Sequence, residues 1–92
     1  MTISKKECHL YLPVLRLGDR GSSVRALQLL LIGKGYSCGY RADDGVFGKR
    51  TENALRRFQD DRYLEVTGIA DAESWYALLI RNDSWEGKEW NL

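Results

Sequence analysis

The chain has 92 residues, of which 43% are hydrophobic and 29% charged, a composition typical of one small globular domain. Its 14 basic and 13 acidic side chains leave a net charge of +1, which argues against a nucleic-acid partner because phosphate binding requires a basic excess. No apolar run approaches the roughly 20 residues that cross a bilayer, and so small a domain has little room for a deep cleft between lobes.

Residues 1–11 are expected to form an N-terminal arm outside the domain. They lack the apolar segment of a signal peptide, so export would depend on another part of a longer chain or on release by lysis. Residues 12–21 should be extended, because Pro13 keeps the residue before it out of helical geometry. Gly18 and Gly21 frame a turn at the end of this segment.

The first predicted helix begins at Ser22 or Ser23 and ends near Lys34. A serine can cap the first turn, and Gly33 and Gly35 favour an end to the helix. One face carries residues at the spacing i, i+3, i+4 and i+7 that is typical of a buried helical stripe: Val24, Leu27, Gln28 and Leu31.

Residues 35–48 contain four glycines and are predicted to form a long connecting loop. Asp44 is expected to bond backbone N–H groups ahead of it, and Gly45 to adopt a positive φ. Phe47 should anchor the loop in the core. Gly48 should let the chain turn sharply into the next helix.

A second helix is predicted from Lys49 to Asp61 and a third from Ala72 to Ile80, with Asp71 as the cap of the third. The inward face of the second helix holds Thr51, Ala54, Leu55, Phe58 and Gln59. The inward face of the third holds Trp75, Leu78 and Leu79. A polar tail follows at residues 81–92.

These elements predict an all-α fold, a compact three-helix bundle with long Gly-rich connecting loops and an extended N-terminal arm. We expect one domain at residues 12–80. Seven large side chains should form a single core: Phe47, Phe58, Leu27, Leu31, Leu55, Trp75 and Leu78.

Gln28 and Gln59 occupy matching positions on two helices of similar design, which we expect to pack around a shared loop. A buried side-chain amide must be hydrogen-bonded. Each glutamine is therefore expected either to satisfy backbone groups of the loop or to contact a ligand.

A series of motifs runs in order along the chain: Leu17-Gly18-Asp19-Arg20-Gly21, Val24-x-x-Leu27-Gln28-x-x-Leu31, Gly35-Tyr36, Asp44-Gly45-x-Phe47-Gly48-x-x-Thr51-x-x-Ala54-x-x-x-Phe58-Gln59, Gly68-Ile69 and Trp75-x-x-Leu78. The series covers about Leu12 to Ile80. It resembles the peptidoglycan-binding domain of the three-helix type, which is appended to cell-wall amidases, lysozymes, carboxypeptidases and phage endolysins. A related fold occurs in the propeptides of matrix metalloproteinases.

The chain departs from the family pattern at four places. Thr67 stands where the family commonly has Asp, Lys49 where Pro is common and Tyr63 where Gly is common. Asp71-Ala72 stands where Gly-Pro often precedes the last helix. These changes are compatible with the fold, and they bear on the fine ligand contacts around the second turn.

The resemblance implies a non-catalytic module that binds bacterial peptidoglycan, both glycan and stem peptide, and that targets an attached or associated cell-wall hydrolase. It implies a bacterial cell-wall or extracellular location, for a bacterial or a phage-encoded protein, and a monomer without a cofactor. The alternative function is a protein-docking or pro-domain-like regulatory domain. The propeptide relatives use a Pro-Arg-Cys-Gly motif, which surrounds neither Cys8 nor Cys38.

A wall ligand offers amino sugars, a lactyl group and peptide carboxylates. Aromatic faces pack on sugar faces, and arginines bind carboxylates. Residues of these types flank the loop and the end of the second helix: Tyr36, Tyr40, Arg41, Arg62 and Tyr63. Asp44 and Gln28 are further ligand candidates, and the other interpretation is that Tyr36 and Tyr63 cap the core. The motif residues expected to be structural are Asp44, Gly45, Phe47, Gly48, Thr51, Phe58, Gln59 and Trp75.

No complete catalytic or metal-binding set is visible in the sequence. His9 with Cys8 and Cys38 would supply only part of a zinc site, and Asp43-Asp44-Gly45 lacks the ligand series and the closing Glu of a calcium loop. We therefore expect no metal site and no enzymatic activity. Cys8 and Cys38 either form a disulfide or remain two independent thiols.

Overall fold

The computed structural model describes residues 12–39 and 42–80, and three helices lie within these ranges. Helix α1 spans Ser22–Gly33, α2 spans Lys49–Asp61 and α3 spans Ala72–Leu79. These ranges contain isolated β-bridges but no strand. The predicted all-α domain with three helices is confirmed. None of the helices described is long and apolar enough to cross a membrane.

The start of α1 differs from the prediction. Gly21 is the N-cap, with φ of 127°, and no side chain bonds to the first turn. The predicted serine cap is therefore wrong, because the helix begins early enough to include both Ser22 and Ser23. The chain turns at Gly21 because its N–H donates to the Gly45 carbonyl oxygen at 2.9 Å. At α3 the predicted cap is confirmed, since the Asp71 carboxylate accepts from the backbone N–H of the third helical residue.

Helices α1 and α2 end in the same Schellman geometry. After α1, Gly35 and Tyr36 each donate a backbone N–H to a carbonyl of the last turn at 2.9 Å. After α2, Tyr63 and Leu64 donate in the same pattern at 3.1 and 2.9 Å. The motif requires a positive φ at the residue directly after the C-cap. This residue is Gly35 after α1, with φ of 95°, and Tyr63 after α2, with φ of 60°.

The hydrophobic core contains all seven predicted side chains. It also includes Val24 of α1 and Ala54 of α2. Leu15 joins it from the N-terminal segment (residues 12–21), and Cys38 and Ala70 join it from the loops. Leu79 was predicted on the inner face of α3, but its side chain is 37% exposed. The helix buries Ser74, Trp75 and Leu78, and Leu79 lies about 100° further around its axis, outside that stripe.

The N-terminal segment pairs with the loop before α2 and with the loop before α3. Leu15 pairs with Ala70 through two backbone hydrogen bonds of 2.8 and 3.1 Å. Arg20 forms a second antiparallel bridge with Val46. The Trp75 indole N–H also donates to the Pro13 carbonyl oxygen at 2.8 Å. The segment therefore joins the loop before α2 to the loop before α3.

Cys38 is a free thiol in the core and is 4% exposed. Burial raises the pKa of the Cys38 thiol, and a hydrogen bond with Thr51 opposes that rise. Cys8 and the rest of the N-terminal arm lie outside the described residues. The Cys8–Cys38 disulfide therefore stays a prediction.

Candidate functional site

Gln28 holds the loop before α2 from inside the domain. Its side chain is 1% exposed. Its Nε2 donates to the Val46 carbonyl oxygen and to Thr51 Oγ1, both at 2.9 Å, and its Oε1 accepts from the Gly45 N–H at 2.9 Å. The expectation that this amide satisfies backbone groups of the loop is confirmed. Because both of its polar atoms bond inside the protein, we assign Gln28 to the loop and not to the ligand surface.

Gln59 performs the same task for the loop before α3. It is 1% exposed, and its Oε1 accepts from the N–H groups of Thr67 and Gly68 at 3.0 and 2.9 Å. Its Nε2 donates to the Ile69 carbonyl oxygen at 3.0 Å and to Ser74 Oγ at 2.9 Å. The expected shared loop is wrong, since each glutamine holds the loop that follows its own helix.

The loop before α2 and the loop before α3 contain the same type of turn, but different side chains close it. In the first loop, Asp44 Oδ1 accepts from the Val46 N–H at 2.9 Å, as predicted. In the second loop, Thr67 Oγ1 accepts from the N–H of Ile69, two residues ahead, at 3.0 Å. A threonine hydroxyl forms this local bond as an aspartate does, which explains why Thr67 is tolerated where Asp is common.

Asp44 lines an open groove of about 310 Å³ beside the start of α1. The groove is lined by Arg20, Gly21, Ser22, Arg25, Asp44, Gly45 and Val46. Arg25 pairs with Asp43 at 3.4 Å, and both side chains are about half exposed. We call this the loop groove.

A second surface lies where α1 and α2 end. The Tyr36 hydroxyl donates to Asp61 Oδ2, and the Tyr36 ring meets the Phe58 ring edge-on, with centroids 5.6 Å apart. The Arg62 guanidinium lies 5.6 Å from the centroid of the same Phe58 ring. The fold thus brings Tyr36 and Arg62, which are far apart in sequence, against one buried ring. We call Tyr36, Asp61, Arg62 and Tyr63 the helix-end surface.

The two tyrosines of the helix-end surface have different environments. Tyr36 is half-buried and packs against the core. Burial, and then the hydrogen bond with Asp61, raise the pKa of Tyr36 to about 12. Tyr63 is 96% exposed, so the interpretation that it caps the core is wrong, whereas that interpretation fits Tyr36.

An apolar hollow of about 240 Å³ adjoins Tyr36. It is lined by Ile32, Gly35, Tyr36, Ser37 and Ala42. Tyr40 and Arg41, which were predicted for the ligand surface, lie outside the described residues. The 12 residues of α1 separate the loop groove from the helix-end surface by roughly 18 Å along the helix axis.

Within residues 12–39 and 42–80, no group of three or more His, Cys, Asp or Glu side chains lies close enough to hold a metal ion. His9 and Cys8 lie outside these ranges. The polar groups of the two surfaces are instead of the kinds that bind hydroxyl, amide and carboxylate groups.

The sequence profile of the family described as "Putative peptidoglycan binding domain" matches residues 20–78. The chain belongs to this family. It is a peptidoglycan-binding module of the type that is appended to cell-wall hydrolases and endolysins, and most of the chain is a non-catalytic binding domain.

The fold also recurs in solved structures. The SleB N-terminal domain is 39% identical, with a TM-score of 0.68 over 73% of this chain and 89% of that one. The Burkholderia AP3 phage endolysin is 37% identical, with a TM-score of 0.69 over 78% of this chain and 27% of that one. The protein FadG of Bacillus subtilis (strain 168) is 32% identical over 72 residues, which are 75% of this chain and 12% of FadG. The chain thus corresponds to a small part of the endolysin and of FadG.

Proposed function

We propose that this domain holds an attached or associated cell-wall hydrolase on its polymeric substrate, in the bacterial wall or outside the cell. The observation that carries the proposal is the family match over residues 20–78 together with the same fold within a phage endolysin. A linked binding module raises the local concentration of its enzyme at the polymer. Weak binding at a single site suffices for this role. We also propose that residues 12–80 form the binding unit and that it acts as a monomer.

We assign peptidoglycan binding to the helix-end surface. It combines an exposed aromatic ring at Tyr63, an arginine at Arg62 and the apolar hollow beside Tyr36. These groups match the apolar sugar faces and the carboxylates of the wall polymer. Tyr40 and Arg41 lie in sequence between Ser37 and Ala42, two lining residues of the hollow, and are proposed as further contacts. Asp44 stays with the loop as a structural residue, because its Oδ1 is engaged in the turn.

Co-sedimentation with insoluble bacterial peptidoglycan tests the function. The purified domain should pellet with the polymer and release no soluble fragments from it. If the folded domain stays in the supernatant with walls of several bacterial types, protein docking becomes the better account. If it clears a wall suspension alone, the module is itself an enzyme and the targeting role is wrong.

Two matched variants test the assigned surface. Arg62→Ala and Arg25→Ala remove the same charge, one from the helix-end surface and one from the loop groove. We expect Arg62→Ala to weaken co-sedimentation and Arg25→Ala to leave it unchanged, with both variants folded by circular dichroism. The opposite result would move the site to the loop groove. Tyr40→Ala and Arg41→Ala should also weaken binding, and soluble muropeptides should shift the NMR amide signals of residues 36–48, 62 and 63.

A further inference from the structure

Tyr63 has a left-handed backbone conformation, which elsewhere in the described residues is found only at glycines. Within residues 12–39 and 42–80 it is the only non-glycine residue with a positive φ, at 60°, whereas six glycines have positive φ values. A side chain in this left-handed region brings Cβ too close to the following carbonyl oxygen. Gly35, at the equivalent place after α1, avoids this strain.

Burial of the Tyr63 side chain in the described fold does not offset this strain. The Tyr63 side chain is 96% exposed, so it gains almost no stability from apolar burial. The aromatic contact found at this end of the domain joins Tyr36 to Phe58 and does not involve Tyr63. Glycine at position 63 would therefore make a more stable helix end. A strained and exposed residue of this kind points to function and not to folding.

We propose that Tyr63 is a stacking platform for the amino-sugar rings of a glycan strand, which the domain keeps at the expense of its own stability. This inference rests on the proposed function and specifies which part of the wall polymer the helix-end surface binds. The electron-rich face of the phenol ring attracts the polarised C–H groups on the flat face of a pyranose.

The backbone around Tyr63 fixes the direction in which its side chain leaves the helix end. The N–H of Tyr63 donates to the Asp60 carbonyl oxygen at 3.1 Å, and the N–H of Leu64 donates to that of Gln59 at 2.9 Å. These bonds hold the Cα–Cβ direction of Tyr63, so the ring projects from a rigid helix end. Binding then has to order only the side-chain torsions of the ring, because the backbone is already fixed. The preceding residue, Arg62, has its guanidinium over the Phe58 ring.

Tyr63→Gly should change stability and binding in opposite directions. We expect the thermal midpoint to rise by about 4 °C or more, because the strain is removed. We expect affinity for peptidoglycan to fall about 3- to 10-fold, because the stacking contact is lost. Tyr63→Phe keeps both the ring and the strain and should behave as the parent domain does. Leu17→Ala, which shortens a 50% exposed side chain of the N-terminal segment, is the binding control.

Gly35→Ala tests the strain by itself. A Cβ at position 35 would meet no atom within 4 Å, so any fall in the thermal midpoint reports the cost of a side chain in this backbone conformation. A fall is expected, and an unchanged midpoint would contradict the premise. A lower midpoint for Tyr63→Gly would also overturn the proposal, because it would mean that the ring contributes to folding.

The binding measurements separate this inference from the proposed function. If the parent domain does not co-sediment with peptidoglycan, the proposed function fails. If the parent binds and Tyr63→Gly binds equally well, the function stands and the platform is wrong. Glycan strands freed of stem peptides should show the same loss with Tyr63→Gly. A loss that appears only with isolated stem peptides would contradict the sugar assignment.

Discussion

Phe58 connects the core of the domain to the surface assigned to the ligand. Its side chain is fully buried, and its ring contacts both the Tyr36 ring and the Arg62 guanidinium. One residue thus positions two members of the helix-end surface. A substitution at Phe58 should therefore lower the stability of the domain and should also displace Tyr36 and Arg62 on the helix-end surface.

Phe58→Ala should lower the free energy of unfolding by about 3–5 kcal/mol, because it removes a large buried ring and leaves a cavity. That loss is a large fraction of the roughly 5–15 kcal/mol that stabilises a typical domain. Thermal denaturation followed by circular dichroism measures it. Arg62→Ala, which removes only the contact on one face of the ring, should cost about 1 kcal/mol or less. A midpoint for Phe58→Ala within a few degrees of the parent would contradict the core assignment.

Tyr36 should make the stability of the domain depend on alkaline pH. Its pKa is raised from 10.0 to about 12 in the folded protein, so the unfolded chain loses the proton first as the pH rises. The stabilisation is fully present below about pH 10 and is lost as the pH rises through about 12. The free energy of unfolding should fall over this window by less in Tyr36→Phe than in the parent. Urea denaturation at about pH 9 and about pH 11.5 measures the difference, and equal losses in the two proteins would contradict the prediction.

Helices α1 and α2 are each hydrogen-bonded to the loop that follows them through a buried glutamine. Gln28 projects from α1 into the loop before α2, and Gln59 projects from α2 into the loop before α3. Each also bonds the hydroxyl of the third residue of the next helix, Thr51 or Ser74. A helix, its loop and the start of the next helix therefore form one hydrogen-bonded unit, and the domain contains two such units in series.

Gln28→Leu and Gln59→Leu should each lower the free energy of unfolding by about 2–4 kcal/mol, because one buried and at least one part-buried backbone group lose their partners. Amide hydrogen exchange can locate the effect. The Gly45 N–H should lose protection in Gln28→Leu, and the Gly68 N–H should lose it in Gln59→Leu. Each variant is the control for the other. Equal loss at both amides in either variant would mean that the two loops are not held independently.

At the scale of the whole molecule, the N-terminal segment joins the two units. It bridges to one loop at Val46 and to the other at Ala70, and Pro13 accepts the hydrogen bond of the Trp75 indole. The proposed glycan platform lies away from these pairings, at the end of α2, where Tyr63 is exposed.

The sequence alone was sufficient to predict the three helices and the residues of the core. Apolar spacing predicted the three helices to within a residue or two, since a helical stripe repeats every three to four residues wherever it packs. Asp71 was recognisable as a cap because its bond closes within one turn. The ordered motifs were sufficient to identify the peptidoglycan-binding family, which the profile match confirmed.

Other features depended on partners that are distant in sequence. The loop that each glutamine holds, the cap of α1 at Gly21 and the exposure of Leu79 follow from how the segments pack. Tyr36 and Tyr63 are the same residue type near two helix ends, yet one packs on Phe58 and the other is exposed. Local spacing describes a residue relative to its own helix, whereas burial depends on which other segments cover it. Only the tertiary structure decides that.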